Sequence, residues 1–223
     1  MTQQLAFDLP HRTARGREDF FVSSTNAQAL AALDAWRTWP GSKMVLTGPP
    51  AAGKTHLAHV WAAASGAQVH AASTLDHADI PTLATQPAVV IEDCETLGSD
   101  PIAQTALFHL HNMLAATGAA LLMTAATAPR DWGFTLPDLA SRVQAAPVTR
   151  LDPPDDALLS AVLVKLFADR QITVTPALIA YVLPRMDRSF AAARALVAAL
   201  DTAALARGTG VTRALAATVL DNP

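Results

Sequence analysis

The chain has 223 residues, a formal net charge of −3 at pH 7, and 51% hydrophobic residues. This composition supports a substantial core and excludes a wholly disordered chain. The slight negative charge argues against a protein whose main function is to bind nucleic acid. The single cysteine excludes an intramolecular disulfide and a cysteine-based metal site. The sequence shows neither a signal-peptide pattern nor an apolar run of membrane-spanning length, so we expect a cytoplasmic protein.

Predicted elements in the first two thirds of the chain alternate between strand and helix. Residues 1–18 are polar and predict an arm outside the core. Beyond the arm, strands are predicted over 42–48, 67–73, 87–93, 119–125 and 147–151, and helices over 53–66 and 101–118. Strands that alternate with helices of this length indicate βαβ units and a parallel sheet covered on both faces. The sequence therefore predicts an α/β domain over residues 19–151.

A change of pattern follows at Asp152, Pro153 and Pro154. Every later periodic segment is helical, and helices are predicted over 155–170, 176–186, 188–206 and 211–221. We therefore expect a small all-α bundle over residues 152–223.

The most specific motif is GPPAAGKT, from Gly48 to Thr55, which we call the phosphate loop. It matches G-x-x-x-x-G-K-[ST] and lies between a predicted strand and a predicted helix, as this motif requires. Its backbone N–H groups and the following helix N-terminus bind phosphate oxygens, the Lys54 ammonium reaches the β and γ phosphates, and the Thr55 hydroxyl ligates Mg²⁺. The residues predicted to contact a nucleotide here are Gly48, Pro49, Pro50, Ala51, Ala52, Gly53, Lys54, Thr55 and His56.

Two carboxylates end the predicted strand over 87–93. At the carboxyl end of a parallel strand, one of them, Glu92, would hold Mg²⁺ through water, and Asp93 would orient an attacking water. The alternative is that these are ordinary capping or loop acids. Cys94 follows directly and is predicted to be a small buried residue rather than a nucleophile, because no histidine pairs with it in the sequence.

Several segments together resemble the AAA+ family, and within it the DnaA-related branch. They are REDFFVSSTNAQALAAL (17–33), GPPAAGKTH, VVIEDCETL, LPDLASR (136–142) and the helical tail, so the resemblance covers about residues 17–221. It implies a P-loop AAA+ parallel-sheet three-layer domain followed by a small all-α lid, with ADP or ATP and Mg²⁺ as ligands. No helix-turn-helix segment for duplex DNA follows the lid helices in this sequence. This pattern favours the branch's regulators of DnaA over the initiator itself.

The arm contains a second resemblance, at Gln4, Leu5, Phe7 and Leu9. These residues resemble the short motif that replication proteins of this kind insert into a groove of the polymerase sliding clamp. An extended segment offers the Gln4 amide for hydrogen bonds and three apolar side chains for shallow pockets. The alternative is a short strand that packs on the chain's own core.

The resemblance also assigns roles to three further positions. Arg142, at the end of LPDLASR, corresponds to an arginine finger that acts on a nucleotide held by a neighbouring subunit; the alternative is a surface arginine paired with Asp138. Asn26 is placed near the adenine edge. At the lid position expected to contact the γ-phosphate this chain has Ala191, so Arg188 is the candidate, with Arg194 as the other possibility.

Departures from the family pattern predict weak intrinsic hydrolysis. The first strand carboxylate is Glu92 where aspartate is usual, and Mg²⁺ demands tight octahedral geometry. A polar sensor at the end of the strand 119–125 is not evident, although Thr124 is present.

Three hypotheses for function follow. The first is a regulator that binds the sliding clamp and promotes hydrolysis of DnaA-bound ATP, so that initiation is repressed. The second is an autonomous DnaA-like ATPase or loader acting on DNA or a helicase. The third is a nucleotide-locked adaptor without a catalytic contribution. The expected partners are the clamp and DnaA, with a homodimer or head-to-tail oligomer as a further state, and neither duplex DNA nor a membrane is an expected partner.

Overall fold

A computed structural model of the chain describes residues 21–221 and confirms the predicted fold. Within these residues, five parallel strands form one sheet in the order β2-β3-β4-β1-β5. The strands are β1 (Lys43–Thr47), β2 (Gln68–Ala71), β3 (Ala88–Glu92), β4 (Ala120–Ala125) and β5 (Val148–Arg150). Each lies inside its predicted range. β2 is the most shortened, because a 3-10 turn begins at Ala72.

Helices cover both faces of the sheet, which is why β1, β3 and β4 are mostly apolar along their length. The helices of this part are α1 (Ala27–Asp34), α2 (Lys54–Ser65), α3 (Ile80–Leu83), α4 (Pro101–Thr117) and α5 (Pro137–Gln144). Val45 and Ile91 face the core formed with α4 and α5. Met44 and Val90, one residue out of phase, face the core formed with α1 and α2. The strand period of two thus divides the chain's apolar residues between two layers.

The strand order brings the functional loops to one edge. β1 is an interior strand, paired with β4 on one side and with the edge strand β5 on the other, and Leu46 is opposite Thr124. β3 pairs with the other side of β4, with Ile91 opposite Met123. Since all pairs are parallel, the segments that follow β1, β3 and β4 meet at the carboxyl edge of the sheet.

The remaining helices form a bundle with its own core, which we call the lid. They are α6 (Asp156–Asp169), α7 (Pro176–Val182), α8 (Phe190–Arg207) and α9 (Arg213–Asp221). Buried Leu163, Phe167, Val197 and Leu200 belong to this core. α7 ends four residues before its predicted limit, because a 3-10 turn containing Pro184 takes over at Leu183.

Besides α1, for which the resemblance implies a helix after Asn26, two short helices were not predicted. α3 has four residues and α5 has eight, which is too short for a clear apolar period. α5 nevertheless buries Leu139 and Val143 and begins with proline at its first position. Across residues 21–221, none of the helices combines the length and apolar character that crossing a membrane requires.

Candidate functional site

The phosphate loop connects β1 to α2, and its two glycines are required by close contacts. A Cβ on Gly48 would collide with the carbonyl oxygen of Leu151, a backbone atom that cannot move aside cheaply. Gly53 has φ +101°, and a Cβ there would lie 2.8 Å from the ring of Phe190 in the lid. The motif glycines therefore allow the loop to pass beside the strand exit and under the lid.

Lys54 is the buried cation of the loop, with a side chain only 8% exposed. Its Nζ donates to the carbonyl oxygens of Gly48 at 2.8 Å and Pro49 at 3.1 Å. Burial lowers the pKa of Lys54, while the carboxylates of Glu95 and then Asp93 act in the opposite direction. The ammonium is thus held inside the loop, where a phosphate would complete its hydrogen bonds.

The first turn of α2 faces the same space. Gly53 precedes the helix and offers no side-chain cap. The backbone N–H groups of Lys54 and Thr55 therefore lie at a helix N-terminus suited to an anion. The Thr55 side chain is exposed to solvent, as a magnesium ligand at this position has to be.

The predicted carboxylates end β3 at the carboxyl edge. Glu92 is half-buried, and its Oε1 has no hydrogen-bond partner among the described residues. Asp93 is exposed and adopts the left-handed conformation, with φ 58°. Its N–H donates to Thr124 Oγ1 at 3.2 Å, so the only hydroxyl of β4 holds the end of β3 in place. The structure thus gives Thr124 a specific contact at the place where a sensor was sought.

Glu95 is a site residue that the sequence analysis missed. Its Oε1 accepts from the N–H of Ala126 at 2.7 Å, and its Oε2 is buried without a partner in the described part of the chain. The 3-10 turn Cys94–Ser99 folds this carboxylate back toward Lys54. The signal that could have found it is a third acid within four positions of a strand end.

Cys94 is buried, as predicted for a structural residue. Burial, followed by the charges of Glu95 and Asp93, raises the pKa of its thiol well above the usual value. A thiol held protonated in this way is a poor nucleophile.

Asn26 is buried and has its side chain committed to its own segment. Its Oδ1 accepts from Ser23 N–H at 2.9 Å, and its Nδ2 donates to the Phe21 carbonyl at 2.8 Å. The Thr25 carbonyl in turn accepts from Asp152 N–H at 3.3 Å, which ties the segment to the start of the lid. Asn26 thus holds the turn that precedes α1, and its contact with adenine stays a prediction.

The lid reaches the loop through Phe190 rather than through an arginine. Arg188, the candidate γ-phosphate contact, pairs with Asp156 at the start of α6, and both side chains are largely exposed. Phe190, two residues further on, packs against Gly53. A role for Arg188 would require it to leave Asp156, and that role stays a prediction.

Arg142 lies on the exposed face of α5, away from its own phosphate loop. Its Nη1 donates to Asn112 Oδ1 at 2.7 Å, and its Cζ lies 5.1 Å from the centroid of the Phe108 ring. Asn112, rather than Asp138, is the hydrogen-bond partner that the structure gives it. Its charge also acts on Lys43, the first residue of β1. The phosphate loop follows the other end of that strand, roughly 13 Å away at about 3.3 Å per residue.

Other predicted site residues are placed as follows. Gly48, Lys54, Thr55, Glu92 and Asp93 come together at the carboxyl edge of the sheet. Gln4, Leu5, Phe7 and Leu9 of the arm lie outside the described residues. In residues 21–221, no group of three or more histidine, cysteine, aspartate or glutamate side chains could hold a metal ion alone.

Solved structures share this fold. Domain III of the Thermotoga maritima replication initiation protein DnaA superposes with a TM-score of 0.81 at 19% identity, over 96% of this chain and 98% of that chain. AMPPCP-bound DnaA from Aquifex aeolicus gives 0.70 at 16% identity, over 82% and 64%. A point variant of Thermotoga maritima RuvB gives 0.69 at 17% identity, over 90% and 70%. No family model matches the chain. The fold is therefore that of an AAA+ domain of the DnaA type.

Proposed function

We propose that this chain is a cytoplasmic, Hda-like regulator of replication initiation, which binds ADP or ATP with Mg²⁺, binds the sliding clamp, and promotes hydrolysis of DnaA-bound ATP. The observation that carries the proposal is the separation of two cationic sites on a DnaA-type fold. Lys54 is buried in the chain's own loop, whereas Arg142 is exposed on another face. A cation presented outward fits a role on a nucleotide held by a partner.

The residues of the loop fit a nucleotide with magnesium. Lys54 would exchange its bonds to the Gly48 and Pro49 carbonyls for phosphate oxygens, and the first N–H groups of α2 would bind further oxygens. Thr55 and Glu92 would hold Mg²⁺, whose charge stabilises that of the phosphates. The unpartnered Glu92 Oε1 supports this, because a buried carboxylate oxygen without a partner is costly unless a ligand completes it.

Hydrolysis of the chain's own nucleotide is expected to be slow. Arg142 cannot serve its own loop from the opposite end of β1, and the lid arginine Arg188 is paired with Asp156. The site would therefore act as a structural nucleotide site. The catalytic contribution would come from Arg142, held by Phe108 and Asn112, at the γ-phosphate of ATP bound to DnaA.

The clamp contact is assigned to residues 4–9 of the arm. Gln4 would supply amide hydrogen bonds, and Leu5, Phe7 and Leu9 would fill apolar pockets. Clamp binding would bring Arg142 to DnaA molecules on replicated DNA by raising the local concentration of the regulator.

The deciding experiment measures hydrolysis of DnaA-bound ATP in the presence of DNA-loaded clamp. The wild-type chain should accelerate it, and Arg142→Ala should remove the acceleration while nucleotide binding is unchanged. Arg130→Ala, a change at another exposed arginine, is the matched control and should behave as wild type. The absence of acceleration by the wild-type chain would refute the proposal.

One observation favours an autonomous ATPase as the second candidate. Glu95 and Thr124 provide polar groups beside Lys54 and Asp93 that a hydrolytic site needs. Under this reading the chain alone would turn over ATP, single-stranded DNA would stimulate it, and Glu95→Gln would slow it. Turnover at background level for wild type would exclude this candidate.

A further inference from the structure

A groove between α1 and α2, lined by tryptophan, lies outside the nucleotide site. Leu30, Leu33 and Trp36 form one wall, and Val60, Trp61 and Ala64 form the other. Its volume is about 170 Å³. We call it the tryptophan groove.

One residue that lines the groove, Trp61, has a buried hydrogen-bond donor without an acceptor among the described residues. Trp61 is 3% exposed, stacks on Trp39 with ring centroids 5.3 Å apart, and meets Trp36 edge-on at 6.0 Å. Its Nε1 has no partner among the described residues, whereas Trp39 Nε1 donates to the Ala32 carbonyl at 2.7 Å. Buried indole N–H groups normally find a partner. An occupant of the groove that carries a carbonyl or similar acceptor would satisfy this N–H if the edge of the indole became accessible to it.

We propose that the arm of this same chain docks in the tryptophan groove through residues 5–9. The arm joins the described part at Phe21, six residues before α1, which forms one wall of the groove. The chain from Leu9 to Phe21 can span up to about 40 Å, far more than the roughly 12 Å length of α1. The linking residues are therefore long enough for residues 5–9 to reach the groove.

The pattern of the arm fits the shape and charge of the groove. In an extended segment Leu5, Phe7 and Leu9 lie on one face, about 7 Å apart. The wall from Leu57 to Ala64 is about 10 Å long, so two of these side chains fit along it. Backbone carbonyls of the segment supply the acceptor that Trp61 lacks.

Charged residues at the edge of the groove favour one alignment of the arm along it. Arg37 stacks on Trp36 with its Cζ 4.4 Å from the ring centroid, and Asp34 also lines the groove. In an extended arm, Asp8 would lie on the face opposite the three apolar side chains. The register with Asp8 beside Arg37 is favoured over one with Asp8 beside Asp34.

Docking would withhold the segment from other partners. The same three apolar side chains are those assigned to the clamp, so the two contacts exclude each other. This consequence rests on the proposed function, whereas the docking itself does not. An arm docked 80–90% of the time would weaken apparent clamp binding about 5- to 10-fold, because only the free fraction binds.

The test follows the indole N–H signals of the full chain by ¹⁵N NMR, with the Trp61 signal assigned by Trp61→Phe. The Trp61 signal should shift when Leu5, Phe7 and Leu9 are all replaced by alanine. Ala64→Arg, which fills the groove from an exposed position, should produce the same shift. Ala63→Arg, on the same helix but outside the groove, should not.

Titrations of the same variants with the sliding clamp distinguish a failure of the docking proposal from a failure of the proposed function. Ala64→Arg should bind the clamp about 5- to 10-fold more tightly than wild type and Ala63→Arg, since the arm is then released. An unchanged Trp61 signal in both the triple variant and Ala64→Arg overturns the docking. A signal that depends on protein concentration assigns the groove to the arm of a second copy and overturns docking within one chain. If the shifts occur but no variant binds the clamp, the docking stands and the proposed function fails.

Discussion

The phosphate loop and the Arg142 surface use positive charge in opposite ways. Lys54 is buried, bonded to two carbonyls of its own loop, and flanked by the carboxylates of Glu95 and Asp93. Arg142 is exposed, has one neutral hydrogen-bond partner and an aromatic ring, and lies close enough to Lys43 to affect that residue's charge. The acids around Lys54 would repel a phosphate on its own, so this site suits a phosphate that carries a metal ion. Arg142 lies near another cation, so its surroundings favour a negatively charged group from another molecule.

The largest expected effect is a difference in nucleotide affinity between variants of Lys54 and of Lys43. Lys54→Ala should weaken ADP and ATP binding at least about 100-fold, roughly 2.7 kcal/mol, because the phosphate contacts are lost. Lys43→Ala, at the other end of β1, should leave nucleotide affinity within about twofold. Isothermal titration calorimetry checks both, and equal losses in the two variants would show that the loop is not the nucleotide site.

The second prediction concerns acid stability near Arg142. Burial, with the charges of Lys43 and Arg142, lowers the pKa of His111 from 6.5 to about 4. Between these values the unfolded chain binds a proton that the folded chain does not, so stability falls as the pH falls from 6.5 toward 4. The loss from this residue reaches at most about 3.4 kcal/mol.

Denaturant unfolding at a series of pH values tests this. His111→Leu should flatten the loss between pH 6.5 and 4, whereas His109→Leu, at an exposed position of the same helix, should keep the wild-type slope. A wild-type slope in His111→Leu would show that other groups cause the acid sensitivity.

The third prediction concerns how Arg142 is held. Asn112→Ala should reduce the maximal rate of DnaA-bound ATP hydrolysis about fivefold, near 1 kcal/mol, because the guanidinium loses its hydrogen-bond partner. The concentration for half-maximal stimulation should change little, since under the proposed function Asn112 would position Arg142 and would not contact the partner. Steady-state assays with varied regulator concentration distinguish the two parameters. If only the concentration for half-maximal stimulation changed, Asn112 would belong to the surface that binds the partner.

The smallest expected effect is confined to the lid. Ser189 caps α8 by accepting from Ala192 N–H at 3.0 Å, and Ser189→Ala should cost about 1 kcal/mol of stability. Ser160→Ala, within helix α6, provides a comparison without loss of a cap. Thermal unfolding measures both, and equal stabilities would show that the cap contributes little.

The sequence predicted the features that depend on local pattern. Apolar and alternating segments identified the five strands of the sheet. The spacing of glycine and lysine identified the phosphate loop, in which a side chain on either glycine would collide with Leu151 or Phe190. The sequence pattern could not predict contacts between segments that are far apart in the chain. Asn112 and Arg142 are 30 positions apart, and Glu95 comes close enough to affect the pKa of Lys54 only because a 3-10 turn folds the chain back. The pairing of Arg188 with Asp156 depends in the same way on how α6 and α8 pack.

The contact between Gly53 and Phe190 has a thermodynamic consequence for the lid. The lid meets the phosphate loop at a point where even one added methyl group would collide with the aromatic ring. A ligand that stiffens the loop therefore restricts the positions open to α8, although α8 itself need not touch a phosphate. Amide hydrogen exchange in the lid should slow when nucleotide fills the loop.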